Sequence, residues 1–398
     1  MKKKILLTCA VLAICFGAWT VRAMYTEPPP GPAGESVPPD EALYTSQIIA
    51  SGISMLNAVQ NKIPDHIYRR DAHARTLGCA LATFQVNPVA DRFRRGLFAT
   101  PNTYKAWIRY SSGSTGLQSS WKPDARGMAI KVLGVPGEKL LEGQKDATTQ
   151  DFLMINNPVF FIPNVRQYAQ ATAFQAANKQ FTYFAADRNG FTWNFFRWRL
   201  REFRIGLDIL KFPPKNLLSI AYYSMTAYKL GQGQYVKYSA RPAVCAAGGS
   251  VPGWWPGFGS NALSDQLARE LKTGPAFCFD LMAQAQAPGK NMPVEDPTIE
   301  WREQDSPFVP VARIELDRQD IAPQMNNGFC ENLSFMPWHA LPEHEPVGGL
   351  NRVRKAVYQS ISSYRRCRNG LDFGEPSNDG SLTFDSKPCV ATQPIPQP

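Results

Sequence analysis

Runs of hydrophobic residues, bounded by polar, glycine or proline positions, divide the chain into strand-like and helix-like segments. Short segments rich in β-branched and aromatic residues predict strands. These segments are His73 to Val86, Tyr104 to Tyr110, Arg126 to Leu133, Asp151 to Ile155 and Pro307 to Leu316. Apolar positions at helical spacing predict an amphipathic helix over Glu41 to Ile63 and further aromatic-rich helices between Arg166 and about Lys237. Widely separated strands around a helical insertion indicate an α+β domain whose sheet could close into a barrel.

A further helix is predicted near the end of the chain, because residues from Arg352 onward contain no proline or glycine before Gly370. Arg354 and Tyr358 then lie one turn apart on a shared face, and Arg365 falls on almost the same face. A phenol has a pKa near 10, so ionising it at neutral pH needs roughly 4 kcal/mol of stabilisation. A ferric ion and a neighbouring guanidinium could supply it, and tyrosinate is a known axial ligand of haem iron.

The first residues predict export. Lys2, Lys3 and Lys4 precede an apolar run from Ile5 to Trp19, and small residues follow up to Ala23. This order is typical of a secretory signal peptide cleaved after residue 23. The alternative is an uncleaved N-terminal anchor. Residues 24 to about 39 are rich in proline and glycine and predict an extended linker.

The number of cysteines predicts disulfide bonds in the mature chain. Cleavage after Ala23 would leave six cysteines, an even number that suggests disulfides in an exported protein without choosing among 15 pairings. They are Cys79, Cys245, Cys278, Cys330, Cys367 and Cys389.

The net charge of +10 would fall to +6 on loss of the three lysines and Arg22. It favours anionic partners such as lipid surfaces or cofactor carboxylates. Nucleic acid is not expected, since the chain has no binding motif for it.

Five blocks resemble, in the same order, the segments of haem catalases that surround the cofactor. They are Arg70-Asp-Ala-His73-Ala-Arg-Thr-Leu-Gly78, Ile108-Arg109-Tyr-Ser111-Ser112, Pro123-Asp-Ala-Arg126-Gly-Met-Ala, Asp151-Phe-Leu-Met-Ile155-Asn156-Asn157-Pro158-Val-Phe160-Phe161 and Arg354-x-x-x-Tyr358. The resemblance implies a catalase-like antiparallel β-barrel with helical additions over residues 61–370. It follows a signal peptide (1–23) and a linker with an N-terminal helix (24–60), and precedes a C-terminal tail (371–398).

The resemblance also implies a role for each matching residue around haem b. His73 would be the distal acid–base, oriented by Ser111, and Tyr358 would be the proximal iron ligand with Arg354 as its electrostatic partner. Arg70, Arg109 and Arg365 would pair with the haem propionates, and Phe161 would contact the cofactor. The family's distal asparagine aligns without a gap on Ile155, whereas a one-residue bulge would bring Asn156 into its place. His66, His339 and His344 lack a matching context and are interpreted as structural or solvated.

The leading functional hypothesis is a haem hydroperoxidase that decomposes hydrogen peroxide or organic hydroperoxides, exported to the periplasm or secreted. An apolar Ile155 would favour bulky hydroperoxides, so a lipid hydroperoxide lyase or isomerase is an alternative, as is a haem-binding protein without turnover. The chain is short for a catalase, which places the family's large tetramer and NADPH site in doubt; a monomer or small homo-oligomer is expected. The basic, aromatic segment from Phe191 to Lys211 is either an interfacial helix near lipid or a helix packed on the barrel.

Overall fold

A closed antiparallel β-barrel forms the centre of the molecule in the computed structural model. The structure describes residues 15–29, 31, 33–62, 66–187, 189–246, 252–326, 328–371 and 374–377. Within these residues the barrel strands are β1 (Arg75–Val86), β2 (Thr103–Ser112), β3 (Arg126–Leu133), β4 (Thr149–Ile155), β7 (Tyr222–Tyr223), β9 (Tyr235–Ala243), β10 (Phe277–Ala285) and β11 (Val309–Leu316). The order is β10-β11-β1-β2-β3-β4-β7-β9, and pairing of β9 with β10 closes the barrel.

Shorter strands and helices surround this barrel. The two-residue strands β5 (Ala186–Asp187) and β6 (Gly190–Phe191) pair with each other, and β8 (Tyr228–Lys229) pairs with β9. The helices are α1 (Glu41–Gln60), α2 (Val165–Ala176), α3 (Leu200–Ile209), α4 (Ala262–Thr273), α5 (Ala322–Asn326), α6 (Phe329–Asn332) and α7 (Gly349–Arg368), and residues 15–25 are also helical. None of the helices in the described residues is long and apolar enough to cross a bilayer.

Alternation along the strands fills the barrel with side chains. Phe84, Phe152 and Phe279 are almost completely buried in the main hydrophobic core. Phe152 and Met154 of β4 belong to this interior core, whereas Ile155 packs in a separate cluster with Ile205 and Ile209 of α3. Residues of β4 therefore contact both the barrel interior and the helices outside it, as a half-exposed barrel wall requires.

A second core holds α7 in place beside the barrel. Val353, Val357 and Ile361 of α7 pack against apolar residues of α1 and α2. Gly52 of α1 permits a close approach, because a Cβ atom there would lie only 2.7 Å from Cδ1 of Ile361. This packing fixes the rotation of α7 about its axis, and so determines which way its Arg354–Tyr358 face points.

The α+β barrel predicted from the sequence is confirmed, with one substantial correction to its elements. The helical prediction between Arg166 and Lys237 is only partly right, since α2 and α3 are followed by β7, β8 and the start of β9. Strand β10 was not predicted. The predicted helix at residues 41–63 is observed over Glu41–Gln60; residue 63 lies outside the described residues. A disulfide joins Cys245 to Cys278, and Cys79 and Cys330 are buried free thiols.

Candidate active site

A cavity of about 900 Å³ lies between the outer wall of the barrel and α7. His73, Ser111 and Ile155 line it from the barrel side, and Arg354 and Tyr358 line it from α7. Its volume is at the upper end of the range for small-molecule sites, about 300–1,000 Å³. The cavity is therefore large enough for a cofactor as well as a substrate.

His73 is held in a backbone conformation that few non-glycine residues adopt. Its φ angle is +56°, in the left-handed region, and its N–H donates to the carbonyl of Gly113 at 3.0 Å. Nη2 of Arg109 donates to the His73 carbonyl at 2.8 Å. Strain of this kind costs about 1–3 kcal/mol and persists where the surroundings over-determine the geometry, often at functional sites. Here the two hydrogen bonds made by the His73 backbone, one to Gly113 and one from the Arg109 side chain, supply that constraint.

Ser111 and Gly127 position the imidazole ring itself. Nδ1 of His73 lies 2.9 Å from Oγ of Ser111. A Cβ atom on Gly127 would lie 2.6 Å from Nδ1 of His73 and 2.7 Å from Oγ of Ser111, so only glycine fits beneath this pair. Because Nδ1 is engaged, Nε2 is the ring nitrogen that can exchange a proton with a ligand.

His73 is neutral at physiological pH. Burial lowers its pKa to about 3, and the positive charges of Arg109 and Arg354 act in the same direction. The imidazole is thus unprotonated over most of the pH range, and its Nε2 has a free lone pair that can accept a hydrogen bond.

On the other wall, Arg354 binds the phenolic oxygen of Tyr358. Its Nε and Nη2 donate to that oxygen at 3.2 Å and 3.0 Å, and Nη1 donates to Oδ1 of Asn351 at 3.1 Å. Burial alone would lower the pKa of Arg354, but Tyr358 and Tyr228 outweigh it and raise that pKa above its ordinary value. A charged guanidinium thus holds the phenolic oxygen of Tyr358 with two hydrogen bonds in the cavity wall.

Three arginines from distant parts of the chain converge at one edge of the cavity. Arg70 donates to Oε1 of Glu331 at 2.9 Å, Nη1 of Arg365 lies 3.5 Å from the same atom, and Arg109 donates to Oγ1 of Thr76 at 2.8 Å. Burial lowers the pKa of Arg109 to about 9, and burial together with Arg70 lowers that of Arg365. Positive charges held this close together repel one another and lose solvation on burial. A bound anion at this edge of the cavity would offset both effects.

Comparisons with known proteins agree with this arrangement. The sequence model of a family described as catalase matches residues 42–371. The chain belongs to the catalase family. A comparison with curated protein sequences gave no match.

Solved catalases share the fold at low sequence identity. A fungal catalase aligns with a TM-score of 0.55 and 17% identity, covering 86% of this chain and 66% of the other. Catalase A from Saccharomyces cerevisiae gives 0.54, 19%, 86% and 68%, and a bacterial catalase gives 0.51, 16%, 86% and 64%. The chain thus spans about two thirds of the length of these catalases.

The structure brings together all but one of the site residues predicted from the catalase resemblance. Those that line the cavity are Arg70, His73, Arg109, Ser111, Phe161, Arg354, Tyr358 and Arg365. Asn156 is the exception, because it does not line the cavity. Its Oδ1 accepts from the N–H of Arg126 at 2.9 Å, and its Nδ2 donates to the carbonyl of Ile209 at 3.3 Å.

The register of strand β4 explains why Asn156 does not line the cavity. The strand stays in register with β3 to its end, where Ile155 lies opposite Gly127, so the bulge that would move Asn156 inward does not form. Ile155 itself lines the cavity close to His73, since Gly127 is the residue beneath the imidazole. The distal wall is therefore apolar at this position, which corresponds to the alignment without a gap.

Several contributors to the site were not predicted from the sequence. Gly127 lies in one of the five segments that resemble catalases, but the resemblance implied no role for it. Thr76 also lies in such a segment, and its hydroxyl alone does not indicate a function. Glu331 lies in the single-turn helix α6, 261 residues from its partner Arg70. A one-turn helix has no periodic pattern, so no sequence signal pointed to Glu331.

Two of the histidines interpreted as structural or solvated, His339 and His344, are buried. Nδ1 of His339 lies 2.9 Å from Asp151, which also pairs with Lys131 at 2.9 Å, and Lys131 pairs in turn with Glu375. Burial alone would lower the pKa of Lys131, but Asp151 and Glu375 outweigh it and raise that pKa. His344 accepts from the N–H of Leu97 and binds the Tyr238 hydroxyl, each at 2.9 Å. Both are structural, and His339 also lines the cavity.

Proposed function

We propose that this protein is a haem-dependent hydroperoxidase with His73 as the distal acid–base and Tyr358 as the iron ligand. The observation that carries the proposal is that one cavity presents a neutral imidazole on its barrel side and an arginine-bound phenol on its helix side. The catalase family supports a peroxide substrate and a haem group. The individual roles are drawn from the geometry of this chain.

The donor set fits haem b. Tyr358 would coordinate the iron through its phenolic oxygen, which Arg354 holds with two hydrogen bonds. Arg70, Arg109 and Arg365 face two carboxylates of the chain, Glu331 and Asp71, and burial raises the pKa of Asp71. The cluster therefore retains positive charge for the propionates. Phe161 would contact the porphyrin. When bound, the iron would supply the chemistry that cleaves the O–O bond.

His73 would move the proton that this cleavage requires. With Nδ1 fixed by Ser111, Nε2 accepts the proton of the hydroperoxide and returns it to the departing oxygen, which leaves as water or an alcohol. Gly127 and the hydrogen bond from Arg109 to the His73 carbonyl keep the ring in place during both transfers. A displacement of the imidazole by about 1 Å would slow both proton transfers substantially.

Ile155 bears on which peroxide is used. An apolar side chain beside the imidazole cannot hydrogen-bond hydrogen peroxide, but it can contact the carbon chain of an organic hydroperoxide. We expect organic hydroperoxides to be good substrates. The same observation favours a second candidate, a lyase or isomerase that rearranges lipid hydroperoxides without a reductant. Export through a signal peptide, to the periplasm or beyond, stays a prediction from the sequence.

The ligand assignment is tested with Tyr358→Phe and the control Tyr364→Phe. Tyr364 lies on the same helix but its hydroxyl binds Asn57 at 2.8 Å. We expect Tyr358→Phe to change the ferric absorption spectrum of haem-loaded protein, and Tyr364→Phe to leave it unaltered. An unchanged spectrum in Tyr358→Phe would refute the ligand.

The activity is tested with His73→Ala and the control His66→Ala, whose histidine is exposed. Oxygen release from hydrogen peroxide and consumption of an organic hydroperoxide are measured side by side. We expect a loss of about 10²–10⁴-fold for His73→Ala alone, as for removal of a general acid–base. Product analysis with and without a reducing substrate separates a peroxidase from a lyase. Wild-type protein that binds haem but turns over no peroxide would leave a haem-binding protein.

A further inference from the structure

Two apolar residues lie where the cavity opens to solvent, beside the exposed polar residues Asn178 and Gln180 and the exposed Glu142. Phe181 and Leu207 both line the cavity, yet 65% and 53% of their surfaces are exposed. A residue that is at once lining and exposed lies at the opening. Leu207 belongs to α3, and Phe181 lies in the 3₁₀ turn Gln180–Tyr183. A small polar peroxide needs no such entrance.

Exposed aromatic rings extend from this opening on two sides. On one side Phe212, Trp255 and Phe258 surround Trp121, with ring centroids 6.0, 5.3 and 5.3 Å from it. Phe258 is 83% exposed and Phe212 60%. Phe212 lies three residues after the end of α3, so this group is close along the chain to Leu207.

The other side is formed by the segment between β6 and α3. Trp193 is 89% exposed and Phe196 65%. Large exposed aromatic side chains gathered beside a cavity mark an interaction surface rather than ordinary surface scatter. We call Phe181, Trp193, Phe196, Leu207, Phe212 and Phe258 the aromatic rim.

The charges beside the aromatic rim are mostly positive. Residues 178–215 contain eight lysines and arginines and three acidic residues. The exposed basic residues of this segment include Lys179, Lys211 and Lys215, and Arg197, which pairs with Asp187; Lys122 is exposed next to Trp121. Aromatic rings with basic residues among them suit the interface of an anionic bilayer, where the rings enter the headgroup layer and the cations meet phosphates. The same excess of positive charge opposes docking of a second copy through this face.

The N-terminal apolar segment reaches the molecule at the rim. Phe16 and Trp19, in the helical residues 15–25, pack on Phe195 and Phe196 with centroid distances of 5.0 and 4.6 Å. If the segment is retained, Phe16 and Trp19 add apolar surface to this face. If it is cleaved after Ala23, Phe195 and Phe196 lose this cover and the apolar surface grows. Both outcomes favour contact with lipid.

We propose that the aromatic rim docks on anionic phospholipid bilayers and that the cavity receives lipid hydroperoxides directly from them. This inference rests on the proposed hydroperoxidase function for the identity of the substrate, but the docking itself can be measured without turnover. The apolar residues at the entrance, the apolar Ile155 and the basic surroundings of the rim then serve one substrate class.

Docking is tested with the quadruple variant Trp193→Ser/Phe196→Ser/Phe212→Ser/Phe258→Ser. None of these four residues lines the cavity. The matched control is Leu43→Ser/Val244→Ser, whose residues are 58% and 61% exposed on segments away from the cavity lining. Flotation with vesicles of phosphatidylglycerol and phosphatidylcholine is compared with flotation on phosphatidylcholine alone. We expect salt-sensitive binding to the anionic vesicles, weakened at least about tenfold in the rim variant and unchanged in the control.

Equal vesicle binding by wild type and rim variant, or none by wild type, would overturn the docking surface. So would a rim variant whose only change is its oligomeric state in sedimentation velocity, because the face would then bind a second copy. An unaltered circular dichroism spectrum shows that the rim variant is folded.

The substrate class is tested with a phospholipid hydroperoxide embedded in the anionic vesicles and hydrogen peroxide in solution. We expect the rim variant to consume the embedded hydroperoxide at least about tenfold more slowly and hydrogen peroxide at the wild-type rate. Wild-type protein that docks and consumes hydrogen peroxide but not the embedded hydroperoxide would overturn this part alone. Rim-dependent docking without turnover of any peroxide would support the docking surface and refute the proposed hydroperoxidase.

Discussion

Gly127 is the most sensitive position outside the proposed catalytic set, because His73 and Ser111 meet above its Cα atom. A methyl group there would lie 2.6 Å from Nδ1 of His73, 2.7 Å from its Cε1 and 2.7 Å from Oγ of Ser111. Ordinary carbon contacts begin near 3.5 Å, so the imidazole must move by about 1 Å. Since the backbone of His73 is held by Gly113 and Arg109, the ring has to rotate rather than retreat.

Gly127→Ala is therefore expected to affect turnover more than folding. Overpacking of this kind costs about 1–3 kcal/mol of stability. A displacement of about 1 Å at a reacting group costs on the order of 10²-fold in rate. Steady-state turnover of haem-loaded protein, its absorption spectrum and urea unfolding would measure both effects. The control is Gly116→Ala, where a Cβ atom meets nothing within 4 Å. Wild-type turnover by Gly127→Ala would refute His73 as the acid–base in this geometry.

Three further predictions follow from buried groups. Lys131→Met removes the cation that pairs with the buried carboxylates of Asp151 and Glu375, and should lower the free energy of unfolding by about 3–5 kcal/mol, against less than about 1 kcal/mol for the exposed Lys145→Met, in urea titrations. Ile155→Asn should raise kcat/KM for hydrogen peroxide relative to an organic hydroperoxide; no change in that ratio would contradict the proposed apolar selectivity. Burial lowers the pKa values of His73 and His344 to about 3. Only the unfolded chain gains their protons between about pH 6.5 and pH 3, so unfolding free energy should fall as pH decreases through that window.

Local patterns predicted several elements closely. Strand β3 is observed over the predicted residues Arg126 to Leu133, and α7 places Arg354 and Tyr358 one turn apart as expected. Both predictions depend only on neighbours along the chain, since spacing in a helix and alternation in a strand are local properties. Strand β10 also carries a local signal, because Phe277, Phe279 and Leu281 alternate into the barrel core.

Other features depend on contacts between distant residues. Asn156 and Ile155 are adjacent, and a single residue of register decides which one faces the cavity; pairing of β4 with β3 decided for Ile155. The burial of His339 follows from Asp151, 188 residues away, which no local pattern announces. The charge at the cavity edge likewise depends on Glu331 meeting Arg70 and Arg365.

The amino-acid sequence by itself determined the family, the barrel with helical additions and most of the residues that line the cavity. Ordered blocks and helical spacing carry that information, because each block acts through its own short stretch of chain. Only the tertiary structure decided that the distal wall is apolar, that a carboxylate lies among the three arginines and that aromatic rings surround the entrance. Those properties arise where elements far apart in sequence are brought together. The exposure of a side chain and the charges around it are determined only by that packing.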